Sequence, residues 1–516
     1  MIDLKQRTLA HLCLASSEKY KNKPAFSMFS DGKIIRQITY AQMGRLSIQT
    51  ARQLKKMGIQ SGDKVMLLAE NCPEWPIAYF GIALAGAVSV PLLTGFSNEQ
   101  IDHIAEHSGV SAICISSLMY EKYNPKTQNL LFIDTLLDDE KIHANDFDFY
   151  KQGEDDLASI IYTSGTQGNS KGVMLSGKNI ISSTVSSHSY VKIKPQDRML
   201  SVLPLAHSYE CGLGLLAPVL SGASITYLDK PPSPSIMLPA LKTLRPTAMV
   251  TVPLLIEKIY RTSIEPKLNA SRLYRFPLTK PLAIRAAGRK LYSALGGKLH
   301  FFGIGGAPLS PKVEEFLYRA KFPYSIGYGL TEAAPLVAGN APRRFKLNTG
   351  VSAAKGVSLR ISNGEIQAKG PNIMLGYYND MEKTRETITP DGWLRTGDLG
   401  FINKKNRLYI KGRLKALILG PSGENIYPEE IEDLLGSSQL VEESLVYAGN
   451  KGEIVALVRL SEAAKAAADA TMHALDELKA WVNKKLSSFS RINKIVVIDR
   501  PFEKTPTMKI KRYLYI

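Results

Sequence analysis

Residues 162–172, YTSGTQGNSKG, constrain this chain more than any other stretch. They crowd Thr163, Ser164 and Thr166 together with Gly165, Gly168 and Gly172, and add one cation at Lys171. The apolar run before them, LASII at 157–161, reads as a buried strand that opens into a glycine- and hydroxyl-rich loop. Converging backbone N–H groups, hydroxyl donors and a lysine point charge suit such a loop to the outer phosphates of a nucleotide. A glycine- and serine-rich surface turn is the competing explanation. The GxxxxGK[ST] phosphate loop is not a match. That pattern needs glycine before the lysine and a hydroxyl after it, whereas Ser170 precedes Lys171 and Gly172 follows.

A chain of 516 residues is long enough for two or more domains with large cores. Its 44% hydrophobic and 22% charged residues are those of an ordinary globular protein. Cys13, Cys72, Cys114 and Cys211 are far apart and form no CxxC pair, which points to reduced thiols in a cytoplasm. The first twenty residues alternate charge and apolar character at helical spacing and display no secretory signal. Residues 75–93 are nearly all apolar, but Pro76, Gly81, Gly86, Ser89 and Pro91 interrupt them. A buried helix to about Ala85 followed by a strand near 87–91 explains this better than a membrane span.

The formal net charge is +18, and half of it is local. Residues 258–298 hold ten Lys/Arg against the single acid Glu265, interleaved with Leu273, Tyr274, Phe276, Leu282, Ile284, Leu291 and Tyr292. Such a stretch suits an anionic membrane surface, here the inner face, and it equally suits a solvated helical face. No nucleic-acid reader motif accompanies the charge, so nucleic acid is not an expected partner.

Strand and helix patterns alternate up to about 150, as at 43–57 (helix) and 64–69 (strand), and again over 156–339. That texture predicts an α/β fold of parallel sheets covered by helices. Short strands and turns over 364–408 predict a β-rich subdomain. A helix–strand rhythm of its own over the last hundred residues predicts a small α+β domain, with the boundary near 412–415. Thus 1–412 form the large domain and 413–516 the small one.

Six further blocks can be set beside the first. GIGGAP (303–308) is a glycine turn after an apolar segment. YGLTE (328–332) offers an aromatic face, a hydroxyl and a carboxylate, or simply a core Tyr, an N-cap Thr and a helix-start Glu. GWLRTGDLG (392–400) puts Asp398 in a turn, where it can accept from ribose hydroxyls or form an Asx-turn. GRLKALIL and GENIYPEEIE follow from Gly412 and Gly423, and TPTMKIKR (505–512) places Lys509 near the C-terminus. His103, Glu106 and His107 spell HxxEH, but no partner carboxylate motif follows and Ser108-Gly109 stops the helix.

In order and spacing these blocks resemble the AMP-forming acyl-CoA synthetases, the acyl-adenylate-forming superfamily, from about Ile160 to the end. GENIYPEEIE, LPLAHSYE (203–210) and the basic insertion before His300 are most similar to long-chain fatty acid–CoA ligases. Ser170, where the family usually has proline, and Met508, where glycine is common, are departures. The resemblance implies a ligase that activates a fatty acid with ATP and Mg²⁺ as acyl-adenylate, then transfers the acyl group to coenzyme A. An acyl-carrier-protein or aryl-acid ligase is the alternative, and a non-catalytic membrane-surface protein on the same fold a remote one. It implies that Thr163, Ser164, Gly165, Thr166, Gly168 and Lys171 hold the outer phosphates, and that Thr331 contacts the α-phosphate while Glu332 holds the metal. Gly305, Gly306, Ala307, Tyr328 and Gly329 frame the adenine, and Asp398 and Arg413 take the ribose. His207 lies by the acyl entrance, Lys509 bridges the carboxylate and α-phosphate, and the small domain rotates about Lys415 to bring Gly423 to the thiol.

Overall fold

The computed structural model describes residues 2–127, 129–136, 153–163, 171–419, 424–449, 452–465, 468–505 and 509–516. Apolar runs without alternation become strands covered on both faces. Lys64–Leu68 and Val88–Leu92 pair in parallel, and the wholly buried helix Glu74–Leu84 connects them. The apolar stretch at 75–93 is therefore a helix and a strand, as expected. No helix among the described residues is long and apolar enough to cross a membrane.

These strands belong to a seven-stranded sheet. Its order is Gly376–Tyr377, Lys171–Ser176, Leu157–Thr163, Val88–Leu92, Lys64–Leu68, Val110–Ile115 and Leu130–Phe132. A second sheet has nine strands, with Tyr324–Gly329, Phe301–Ile304, Ala248–Thr251, Arg198–Leu200, Ser224–Leu228 and Pro24–Ser30 parallel at its centre. The parallel sheets expected from alternating strands and helices are present, and both sheets add antiparallel strands toward their edges. A short link permits a hairpin but not a crossover, as between Pro24–Ser30 and Lys33–Thr39, whereas Gly376–Tyr377 returns from far along the chain to pair with Lys171–Ser176.

The β-rich region is a four-stranded antiparallel sheet of Ser358–Ser362, Glu365–Lys369, Leu394–Ile402 and Leu408–Arg413. Beyond it, Val441–Ala448, Ile454–Leu460 and Lys494–Val497 form a three-stranded sheet beside the helices Pro428–Gly436 and Ala468–Lys485. This last unit has its own core, with Ile431, Leu435, Val446, Val458 and Val482 among its members. Polar contacts join it to the body. Arg261 donates from Nη1 to the carbonyls of Val441 (3.0 Å) and Glu442 (3.5 Å) and from Nη2 to that of Gly436 (3.3 Å). Lys312 donates to the Ser437 carbonyl at 3.4 Å.

The helices Leu9–Tyr20, Tyr40–Lys56 and Glu74–Leu84 pack on one another at short range. A capping box between Thr39 and Gln42 starts the second of them. A Cβ at Gly81 would lie 2.5 Å from the Thr50 Cβ, so the third helix reaches the second only because glycine stands there. Gly81→Ala should therefore overpack this contact and cost about 1–3 kcal/mol, read as a lowered thermal midpoint. An unchanged midpoint would mean the helices can separate freely.

Candidate active site

The strand Leu157–Thr163 runs antiparallel to Lys171–Ser176, with Thr163 opposite Lys171. The two strands therefore pair directly, unlike the strand and helix that flank a P-loop. Ser164, Gly165, Thr166 and Gly168 lie outside the described residues, as does Gly423. Lys171 begins the return strand, and its ammonium lies 5.2 Å from the Tyr377 ring. Burial lowers its pKa first, and the positive charges of Lys383 and Lys415 lower it further. Asp380 and Glu332 pull it back up, so three cations and two carboxylates meet at the end of this strand pair.

The YGLTE block lies at the end of the strand Tyr324–Gly329 and in the short 3₁₀ turn Thr331–Ala333. Gly329 is required there: a Cβ would fall 2.1 Å from the Pro335 carbonyl of the pairing strand segment. Thr331 faces Ser208, with the two hydroxyls 3.3 Å apart. Glu332 accepts from the Tyr377 hydroxyl at 2.9 Å. The alternative of a core Tyr, an N-cap Thr and a helix-start Glu falls short, because all three side chains meet partners from distant parts of the chain. Gly305, Gly306 and Ala307 follow the neighbouring strand Phe301–Ile304, and Gly305 lies against the Tyr209 ring.

Asp398 is not in a turn as the glycines around it predict. It lies within the strand Leu394–Ile402, directly opposite Arg413. A bulge between Leu399 and Gly400 interrupts the register there, which explains the turn-like composition. The carboxylate is buried and accepts from the Tyr328 hydroxyl at 2.6 Å and from Arg413 Nε at 2.8 Å. Burial raises its pKa, while Arg413 and the Tyr328 hydrogen bond hold it down.

Lys509 reaches the same place from the C-terminus. The isolated bridge between Lys504 and Ile510 closes its turn, and its backbone N–H donates to Thr505 Oγ1 at 3.2 Å. An Arg512–Glu432 ion pair and an Arg512 bond to the Val446 carbonyl (3.2 Å) fix that turn to the small unit. Surrounding protein desolvates the Lys509 ammonium and, with the Arg413 charge, lowers its pKa, while Asp398 and Glu332 pull it up. His207 feels it too: burial, then the Lys509 charge, push this imidazole down to about 4. It is therefore neutral at pH 7. Its Nδ1 accepts from the Tyr209 backbone N–H at 3.1 Å, which assigns the proton to Nε2. Lys415 occupies the exposed 3₁₀ turn Leu414–Ala416, immediately after the Arg413 strand.

Lys171, Thr331, Glu332, Asp398, Arg413, His207 and Lys509 are thus linked through their contacts or fields. Sequence reasoning missed Tyr377 and Lys383 and passed over Ser208 inside LPLAHSYE. Two adjacent tyrosines before an acid, GYYND at 376–380, were the available signal for Tyr377. His107, of the HxxEH pattern, pairs instead with the Tyr162 hydroxyl at 2.7 Å.

Beside this cluster lies a pocket lined by Tyr190, Tyr209, Leu213, Phe301, Gly303 and Gly327, with Ser187, Val191, Ser325, Ile326, Leu336 and Gly339 completing it. Its lining contains no charged residue. Most of its polar groups are turned to partners elsewhere. Ser187 donates to the Thr184 carbonyl (2.7 Å), Tyr190 to that of Ser352 (2.8 Å) and Ser325 to that of Asn340. The Tyr209 hydroxyl has no such partner among the described residues.

Residues 14–378 match the family described as AMP-binding enzyme, and residues 416–515 match the AMP-binding enzyme C-terminal domain. A 4-coumarate–CoA ligase 3 from Oryza sativa subsp. japonica is 29% identical, covering 98% of this chain and 91% of that protein. A long-chain-fatty-acid–CoA ligase, FadD15, from Mycobacterium bovis is 28% identical over 92% of this chain and 90% of its own. Among solved structures, the o-succinylbenzoate coenzyme A synthetase of Bacillus subtilis in complex with ATP and magnesium is 26% identical. It superposes with a TM-score of 0.78 over 97% of this chain and 98% of that one. With both family regions matched in order along almost the whole chain, the protein belongs to the AMP-binding enzymes, the family of adenylate-forming acyl- and aryl-CoA ligases.

Proposed function

We propose that this protein is a fatty acid–CoA ligase that works through an acyl-adenylate. The observation that carries the choice of acid is the uncharged pocket, whose serine and tyrosine hydroxyls, Tyr209 apart, are spent on backbone carbonyls. A second carboxylate on the substrate tail, as in o-succinylbenzoate, would find no cation there and would stay unpaired. An apolar monocarboxylic acid would lose nothing.

In the first step a fatty carboxylate oxygen bonds to the α-phosphorus of ATP, and the bond from that phosphorus to the β-bridging oxygen breaks, releasing pyrophosphate. The carboxylate is ionised at neutral pH, its pKa being about 4, so no general base is needed. What is needed is neutralisation of two anions held together. Lys171 would hold the outer phosphates, together with the hydroxyls of the adjoining loop. Thr331 would contact the α-phosphate and Lys509 would bridge the reacting groups. Asp398, with Arg413, would bind the ribose hydroxyls. Glu332 fits Mg²⁺: one carboxylate on the protein, completed by phosphate oxygens and water, is the usual way this ion is held near a nucleotide. Bound there, Mg²⁺ would screen phosphate charge.

In the second step the coenzyme A sulfur attacks the acyl carbon, its proton is lost and AMP leaves. Rotation of 413–516 about Lys415 would withdraw Lys509 and bring the segment at Gly423 to the thiol. An aryl acid is the second reading, favoured by the unpartnered Tyr209 hydroxyl, which could meet a phenol. The test is acid-dependent exchange of labelled pyrophosphate into ATP across fatty acids of rising length, alongside 4-coumarate and o-succinylbenzoate. A maximum at one fatty chain length supports the proposal; exchange with 4-coumarate alone replaces it with the second reading.

Three variants examine the parts. Lys509→Ala should slow pyrophosphate exchange by ~10²–10³, the typical cost of one transition-state donor, and leave thioester formation from supplied acyl-adenylate nearly intact. Equal loss of both steps would contradict the bridging role. Lys415→Pro fixes φ in the 3₁₀ turn and should spare exchange while slowing thioester formation. Normal thioester formation would remove the pivot from Lys415. At Gly327 a Cβ would lie no closer than 4.0 Å to its nearest neighbour, the Ile304 carbonyl. Gly327→Leu should therefore fill the pocket and shift the preferred acid to a shorter chain, with ATP binding unchanged. An unaltered chain-length profile would mean the tail lies elsewhere.

A further inference from the structure

The basic segment 258–298 has one acid, Glu265, and that acid is buried and paired with Lys312. Nine of its ten cations are exposed, all but Arg261, and among the described residues none of the nine is in an ion pair. Isolated exposed apolar side chains are ordinary on protein surfaces and call for no partner. Here four fall within ten residues: Leu273 is 53% exposed, Phe276 64%, Leu278 93% and Leu282 59%. Contiguous apolar surface of this kind marks an interaction site.

The tip is held in place. Thr279 donates to the carbonyls of Leu273 (2.7 Å) and Phe276 (3.3 Å), tying off the turn between the helices Arg272–Arg275 and Lys280–Ala294. The Lys280 ammonium lies 4.9 Å from the Tyr274 ring, bracing one helix against the other. Ala283, Ile284, Gly288 and Leu291 bury one side of the longer helix. Leu282, Arg285 and Arg289, at helical spacing, share its exposed side with the apolar tip nearby.

We propose that residues 272–290 dock this protein on an anionic lipid bilayer. The tip would enter the interface between headgroups and acyl chains, and the flanking cations would meet lipid phosphates. Charge complementarity selects this occupant. A second copy of a chain of net charge +18 would be repelled. Nucleic acid would satisfy the cations but leave Leu273, Phe276, Leu278 and Leu282 in water. The inference is independent of which acid the enzyme activates.

Co-sedimentation of the full chain with two vesicle types tests it. One is pure phosphatidylcholine; the other carries phosphatidylglycerol as roughly one lipid in three. The protein should pellet with the anionic vesicles only, and added salt should release it. Phe276→Ser with Leu278→Ser, and separately Arg285→Glu with Arg289→Glu, should each weaken binding about tenfold or more. Pyrophosphate exchange without lipid should be unaltered in both variants, which verifies that they fold. Failure to pellet with anionic vesicles would overturn the proposal, as would equal binding by both variants and the parent. So would retention by duplex DNA without vesicle binding.

Discussion

One buried carboxylate ties together the parts of this enzyme that must act at once. Asp398 is held by Arg413 from the next strand and by Tyr328 from an inner strand of the nine-stranded sheet. Burial alone would favour its neutral form, so the anion is sustained by those two partners. Tyr328 leads directly to Thr331 and Glu332, and Arg413 leads directly to Lys415. The turn at Thr331–Ala333 and the strand ending at Arg413 are therefore fixed to the same two oxygens. A change at any of the three would propagate to both.

Lys509 adds a second level to this arrangement. It is carried on a turn anchored within the small unit by Arg512 and Glu432, yet its charge is felt at His207, Asp398 and Glu332 in the body. The small unit thus delivers a cation to a site that it does not itself contain. Lys171, Lys383 and Lys415 act on one another nearby, beside the carboxylates of Asp380 and Glu332. The local field is thus built from side chains far apart in the chain.

Much of this was legible in the sequence because local chemistry announced it. The strand at 157–163, the apolar runs of the buried strands, and the proline- and glycine-broken segment at 75–93 each imposed a local structure that tertiary packing left intact. Asp398 misled because a bulge and two neighbouring glycines give a strand the composition of a turn. Tyr377 and Ser208 were hidden for another reason. Their partners, Glu332 and Thr331, lie 45 and 123 positions away, and only the closing of the fold brings them together. The antiparallel sheet edges were obscured likewise, since direction depends on how the connection folds back.

The contact between Arg261 and the small unit has a consequence for how that unit can move. A single guanidinium serves the carbonyls of Gly436, Val441 and Glu442, and Lys312 serves Ser437 beside them. Those carbonyls belong to one short stretch at the end of a helix and the start of a strand, so they leave together or not at all. Sliding would strand several acceptors before others could replace them. Any motion of the small unit away from this position would therefore be an unlatching event, with water taking over the set of carbonyls together.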